Sequence, residues 1–141
     1  MANEVQFNSA FAIKKGNVDE RMYPNAFKDD ITGDGKGPTP GAVTATTSGT
    51  NVDLSELTVP GYCRIRNQDE INDVHYGIWD GTEFYPFGEV GPGRHVDLKL
   101  SKYFGRSMGA AGTGTYDVGT YELQVRSENA DCNVTIEAFE A

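Results

Sequence analysis

Strict alternation of apolar and polar residues constrains the fold of this chain more than any other feature. The pattern runs through four segments, residues 4–14, 95–100, 121–126 and 132–138. Every second side chain of a β-strand lies on the same face, so alternation predicts strands with one buried face. No stretch of ten residues shows helical periodicity. The sequence therefore predicts an all-β, antiparallel fold. Its predicted core residues are Val96, Leu98, Leu100, Leu123, Val125, Val134 and Ile136.

Turn-forming residues separate the predicted strands. Asp80-Gly81 lies between two strand-like runs, which is a strong hairpin signal. Pro60-Gly61 and Gly91-Pro92-Gly93 each precede a further strand. Turns at this frequency predict an antiparallel β-sandwich or jelly roll of about eight to ten short strands.

The length of 141 residues suits one domain with a single core. We predict an N-terminal strand or arm over residues 1–27 and a β-sandwich over residues 28–141. Two Gly-rich segments, 28–41 and 105–119, are predicted to be flexible loops within that sandwich. Loops of this length inside a small domain often carry function.

Charge and cysteine content narrow the class of protein. The formal net charge of −9 disfavours direct binding to nucleic acid phosphates. No apolar run approaches the ~20 residues of a membrane span, and the first residues do not resemble a signal peptide. We therefore expect a cytoplasmic protein without a membrane anchor. Cys63 and Cys132 match no metal-ligand spacing and are predicted to be buried thiols, with a disulfide as the alternative.

Catalytic motifs are missing from the sequence. His75 and His95 have no second ligand at metal-binding spacing, and each occupies a polar strand position. The serines lack the context of a nucleophile elbow. We expect no enzyme activity, no catalytic residues and no cofactor.

An acidic loop supplies the best metal candidate. Asp29, Asp30 and Asp34 lie in a Gly-rich segment and could offer oxygen ligands to Ca²⁺. The spacing does not match an EF-hand, and no Glu closes the loop. The prediction is therefore no metal site, with an ordinary solvated acidic turn as the interpretation of these residues.

Aromatic residues cluster around the predicted Asp80-Gly81 hairpin: Tyr76, Trp79, Phe84, Tyr85 and Phe87. Aromatics suit strands and cores, so core packing is the first interpretation. A subunit interface is the second. A carbohydrate platform formed by Trp79, Tyr76 and Tyr85 is the third.

The N-terminal segment is the predicted partner interface. Val5, Phe7, Phe11 and Ile13 alternate along one predicted strand at the chain end. Tyr23 and Phe27 follow in a short second strand. A terminal strand with unpaired backbone groups is a template for pairing with another chain. The alternative is that the strand completes the protein's own sandwich.

The order of turns and strands in the last two thirds of the sequence is distinctive. The segment 52–62 ends in Pro60-Gly61-Tyr62 and leads into Arg66-Asn67-Gln68-Asp69. It is followed by Val74 and Gly77, the aromatic run 84–87, the turn 91–93 and the strand 96–100. The final strand, 134–139, is rich in Val, Ile and Glu. This order resembles that of small structural proteins of tailed-bacteriophage virions, and the resemblance covers residues 50 to 140 best.

The resemblance implies a virion component assembled in the host cytoplasm, and it brings no catalytic residues. The first hypothesis is a capsid decoration (cement) protein that binds the outer shell and stabilises it. Its partners would be the major capsid protein or other virion subunits, and it would form a homo-oligomer, with a trimer as one candidate. The alternatives are a tail, neck or head-fibre subunit and a carbohydrate-binding module.

Overall fold

The computed structural model describes residues 4–22, 27–31, 35–104 and 121–141. Every regular element in these ranges is a β-strand, which confirms the all-β prediction. Accordingly, no helix in the described ranges could serve as a membrane span. The chain divides into two compact units, Met1–Asp34 and Gly35–Ala141, here called the N-terminal unit and the body.

The N-terminal unit contains four strands, and the body contains eight. The strands of the N-terminal unit are β1 (Val5–Phe7), β2 (Phe11–Lys15), β3 (Val18–Met22) and β4 (Phe27–Asp29). The strands of the body are β5 (Thr39–Ala45), β6 (Thr50–Asn51), β7 (Pro60–Asn67), β8 (Val74–Trp79), β9 (Phe84–Val90), β10 (His95–Lys99), β11 (Glu122–Ser127) and β12 (Cys132–Glu140).

The N-terminal unit consists of two small antiparallel ribbons. The predicted single strand from Val5 to Ile13 is interrupted at residues 8–10, where no apolar residue continues the pattern, and forms β1 and β2 instead. β2 turns through Gly16, whose φ is +58°, and pairs with β3. β1 pairs with β4, opposing Phe7 to Phe27. Residues 27–29 therefore belong to the N-terminal unit, and the boundary falls after residue 34 rather than after residue 27.

The body contains two four-stranded antiparallel sheets, ordered β10-β7-β12-β5 and β6-β11-β8-β9. β12 lies inside the first sheet and pairs with both β5 and β7. Its pairing with β5 reaches Thr39, opposite Ala138. The segment 28–41, predicted as one loop, therefore begins within β4 and ends within β5.

Both sheets of the body contribute to one hydrophobic cluster. Leu123 and Val125 of β11 are fully buried in it, together with Val134 and Ile136 of β12. The predicted residues Val96, Leu98 and Leu100 are partly buried and pack against the same cluster. Alternation thus identified the inward faces of β10, β11 and β12 correctly. Cys63 on β7 and Cys132 on β12 are buried free thiols.

The predicted Asp80-Gly81 hairpin joins β8 to β9, with Trp79 opposite Phe84. The carboxylate of Asp80 accepts hydrogen bonds from the backbone N–H groups of Thr82 (2.8 Å) and Glu83 (2.7 Å). Gly81 adopts a φ of +98°, a conformation that favours glycine. The second predicted loop, 105–119, lies outside the described residues.

Candidate functional site

An exposed apolar face covers one side of the β2–β3 hairpin. Cross-strand pairing opposes Phe11 to Met22, Ile13 to Glu20 and Lys15 to Val18. Directly opposed residues share a face, as do alternate residues of one strand. These six residues therefore form one surface, the hairpin face: Phe11, Ile13, Lys15, Val18, Glu20 and Met22.

The apolar side chains of the hairpin face are open to solvent. Phe11 is 58% exposed, Met22 64%, Val18 50% and Ile13 47%. An isolated exposed apolar residue is ordinary, but four on one face of a two-stranded ribbon form a contiguous patch. A two-stranded ribbon is also marginally stable in water without further packing. The hairpin face therefore has the properties of a surface that a partner covers.

The opposite side of the same hairpin is polar. It carries Ala12, Lys14, Asp19 and Arg21, which alternate with the residues of the hairpin face. The Nε atom of Arg21 lies 3.9 Å from Oδ1 of Asp19, and both side chains are largely exposed. This side has the composition of a solvated surface, so the two sides of the ribbon differ sharply in chemistry.

The predicted interface residues do not all lie on one surface. Phe11 and Ile13 lie on the hairpin face, whereas Val5 and Phe7 are half-buried on β1. Phe27 pairs with Phe7 through the backbone of β4. Tyr23 lies outside the described residues, and the prediction that these residues meet a partner remains a prediction.

Val18 and Met22 complete the hairpin face but were not predicted. The strand that holds them, Val-Asp-Glu-Arg-Met, has apolar residues only at its ends. A signal was nevertheless present, because Gly16-Asn17 separates β2 from β3 by two residues. Gly-Asn between two strand segments is typical of a tight hairpin.

The calcium candidates do not assemble into a site within the described structure. Asp29 lies on β4 opposite Val5, and its Oδ1 atom accepts a hydrogen bond of 3.0 Å from the backbone N–H of Asp30. Asp34 lies outside the described residues. In the part of the chain that the structure describes, no three His, Cys, Asp or Glu side chains are grouped to hold a metal ion.

The aromatic residues around the β8–β9 hairpin do not form one platform. Tyr76 is buried in the core cluster, and its ring lies 5.2 Å from that of Phe87 in an edge-to-face arrangement. Trp79 opposes Phe84, and the adjacent residue Ile78 opposes Tyr85. Since successive residues of a strand point to opposite faces, Trp79 and Tyr85 lie on opposite sides of the sheet. The structure therefore does not bring Trp79, Tyr76 and Tyr85 together.

A shallow pocket of about 390 Å³ lies beside the outer side of β8 and β11. The guanidinium carbon of Arg126 lies 4.9 Å from the centre of the Phe84 ring, and Nη2 of Arg126 donates a hydrogen bond of 3.1 Å to Gln124. His75 Nε2 lies 2.8 Å from a carboxylate oxygen of Glu128. The pocket therefore presents the guanidinium group of Arg126 beside the hydrogen-bonded pair of His75 and Glu128.

Asn67, which follows Arg66 at the end of β7, has a structural role. Its side chain is fully buried, and Nδ2 donates hydrogen bonds to the carbonyl oxygens of Asn72 (2.8 Å) and Val90 (3.0 Å). The carboxylate of Asp69 accepts hydrogen bonds from the backbone N–H groups of Asn72 and Ile71. These bonds hold the β7–β8 connection against the end of β9, so the motif stabilises the body.

Comparison with known proteins finds no matching family model, no similar curated protein and no similar solved structure.

Proposed function

We propose that this chain is a capsid decoration (cement) protein of a tailed bacteriophage, which binds the assembled shell without an enzymatic step. The virion assignment is supported by the resemblance of residues 50 to 140 to small virion structural proteins. The binding role is supported by the hairpin face. That exposed apolar surface is the single observation that carries the proposal.

The body suits a rigid structural part. Its two antiparallel sheets share one core, which supports a β-sandwich of jelly-roll type. The buried side chains of Leu123 and Val125 on β11 and of Ile136 on β12 come from different sheets and fix the two sheets against each other. A well-packed core and an exposed apolar hairpin are both features that a protein needs when it joins neighbouring subunits.

Binding through the hairpin would stabilise a shell by linkage. A protein that binds only the assembled state shifts the equilibrium towards that state, and many copies increase the effect. Burying Phe11 and Ile13 would contribute about 1.5–3 kcal/mol each before the entropy of association is subtracted. The proposed partner is the major capsid protein or another virion subunit.

Reconstitution with particles that lack this protein tests the proposal. The full chain should co-sediment with such particles and raise the temperature at which they release DNA. Ile13→Asp, which places a charge in the hairpin face, should abolish both effects. Ala12→Asp places the same charge on the polar side of β2 and should leave both intact.

Locating the chain in particle density separates the proposal from its alternative, a tail, neck or head-fibre subunit. Density on the outer capsid surface supports decoration, whereas density confined to the tail, neck or a fibre contradicts it. Failure of the wild-type chain to bind particles of any kind would overturn the virion assignment itself.

A further inference from the structure

We propose that the hairpin face of one copy packs against the same face of a second copy, in a two-fold symmetric contact. The proposed function allows the major capsid protein or another virion subunit as the partner of the hairpin face. Here that partner is a second copy of this chain, and the biological setting of the pairing rests on the proposed function. Its test uses the isolated protein, so the two proposals can fail separately.

The hairpin face carries opposite charges, so two copies of this face can attract each other. Among six residues, the face carries one cation, Lys15, and one anion, Glu20. Both side chains are exposed, and no ion pair joins either to another described residue. The whole chain has a formal net charge of −9, so most of its surface repels a second copy. The hairpin face, with no net charge, is a surface where two copies can meet without that penalty.

The register of the hairpin makes a two-fold contact chemically consistent. When two such ribbons stack with their strands aligned, as stacked sheets do about 10 Å apart, β2 of each copy faces β3 of the other. Phe11 then meets Met22 of the second copy, and Ile13 meets the aliphatic stem of its Glu20. Lys15 of each copy lies within reach of Glu20 of the other. The contact therefore buries all four apolar side chains and forms two equivalent ion pairs.

Because the hairpin face is small, we expect the contact between two copies to be weak. Four partly exposed side chains per copy give less buried area than the ~1,200 Å² typical of stable complexes. The pairing should therefore be reversible and depend on concentration. Copies held side by side on an assembled surface would pair more strongly, because the effective concentration there is high.

Analytical ultracentrifugation of the full chain tests the pairing. Over a range from ~1 µM to ~1 mM, the wild-type protein should shift from monomer to dimer. Ile13→Asp should raise the dissociation constant more than about a hundredfold, because it buries a charge in the apolar contact. Ala12→Asp, on the opposite side of the same strand, should leave dimerisation unchanged. Circular dichroism of both variants verifies that the fold is retained.

A charge exchange identifies the partner surface. Lys15→Glu and Glu20→Lys each place like charges opposite one another, and each should weaken self-association about tenfold. A mixture of the two variants restores both ion pairs and should form a one-to-one heterodimer with wild-type affinity. Repulsion within a single hairpin cannot give this result, since mixing does not change the interior of either copy.

Three results would overturn the inference. The first is a wild-type chain that stays monomeric over the whole concentration range. The second is a dimer that survives Ile13→Asp, and the third is a mixture of Lys15→Glu and Glu20→Lys that does not recover the wild-type affinity. If the chain is monomeric while particle binding still requires Ile13, then the hairpin face binds a capsid subunit and the proposed function stands without self-pairing.

Discussion

The backbone N–H of Asp69 donates a hydrogen bond of 2.9 Å to the side-chain oxygen of Asn67, two residues earlier. The amide nitrogen of the same Asn67 side chain donates to two carbonyl oxygens, those of Asn72 and Val90. One buried amide thus uses both of its ends to connect β7, the β7–β8 connection and β9. This accounts for an asparagine at an otherwise apolar, fully buried position.

Asn67→Ala should lower the free energy of unfolding by about 1–3 kcal/mol, because it leaves buried backbone groups without partners. Chemical denaturation monitored by fluorescence of Trp79 measures the change. The matched control is Asn133→Ala. Asn133 is an exposed residue of β12 that lies opposite Thr44 of β5, and its substitution should change stability by less than about 0.5 kcal/mol. Equal effects of the two substitutions would contradict the role assigned to Asn67.

Asp69 should make stability depend on pH. Hydrogen bonds from the backbone N–H groups of Asn72 and then Ile71 hold the pKa of this carboxyl below its usual range. A carboxyl whose pKa is lower in the folded state than in the unfolded state stabilises the fold above its unfolded pKa, about 3.9. That contribution is lost as the pH falls through the lower pKa of the folded state.

Thermal unfolding between pH 7 and pH 2 measures this dependence. Asp69→Asn removes the titrating group and should flatten the decline of the melting temperature below about pH 4. Glu70→Gln removes the exposed carboxylate next to it and is the control, expected to retain the wild-type decline. The interpretation fails if both variants follow the wild-type curve.

Burial should make the thiols inert in the folded protein. Desolvation, followed by the nearby charge of Asp97, raises the pKa of the Cys63 thiol to about 12. The thiolate is the reactive form, so a disulfide reagent at pH 8 should label neither Cys63 nor Cys132 until the protein unfolds. Rapid labelling of either thiol under native conditions would show that the core of the body opens locally.

The sequence predicted the body better than it predicted the hairpin. β11 and β12 alternate regularly, and each has one face in the core, so period 2 alone identified Leu123 and Ile136. All five residues of β3 are exposed, and the three charged residues in its middle interrupt the apolar pattern between Val18 and Met22. Apolar and polar residues alternate where one face of a strand is buried, so this pattern does not predict a strand that stays exposed. The Gly16-Asn17 turn was the stronger local signal for that hairpin.

The partner of the N-terminal strands could not be predicted from the sequence, for a different reason. Burial of Phe11 and Ile13 on a neighbour and burial in the protein's own sandwich require the same residue types. The exposure of these two side chains and the cross-strand register, which places Lys15 and Glu20 on the apolar side, come only from the structure.

Core truncation should distinguish fully buried leucines from partly buried ones. Leu123 is 1% exposed, whereas Leu98 only packs against the edge of the cluster. Leu123→Ala should cost about 2–5 kcal/mol of stability, and Leu98→Ala should cost less. Denaturant midpoints measure both. A larger loss for Leu98→Ala would show that the core is centred on β10 instead.

Removing the N-terminal unit should leave the body folded. Every residue of the core cluster lies between Ala45 and Ala138, so deletion of residues 1–34 removes none of its buried side chains. We expect the melting temperature of the body to fall by less than about 4 °C, the shift that corresponds to roughly 1 kcal/mol in a domain of this size. Differential scanning calorimetry measures the change, and Leu123→Ala in the truncated chain verifies that the remaining transition reports the same core. The truncated chain should also stay monomeric at concentrations where the full chain associates. An unfolded truncated chain would mean that the N-terminal strands are part of the protein's own core, as in the alternative interpretation of the sequence.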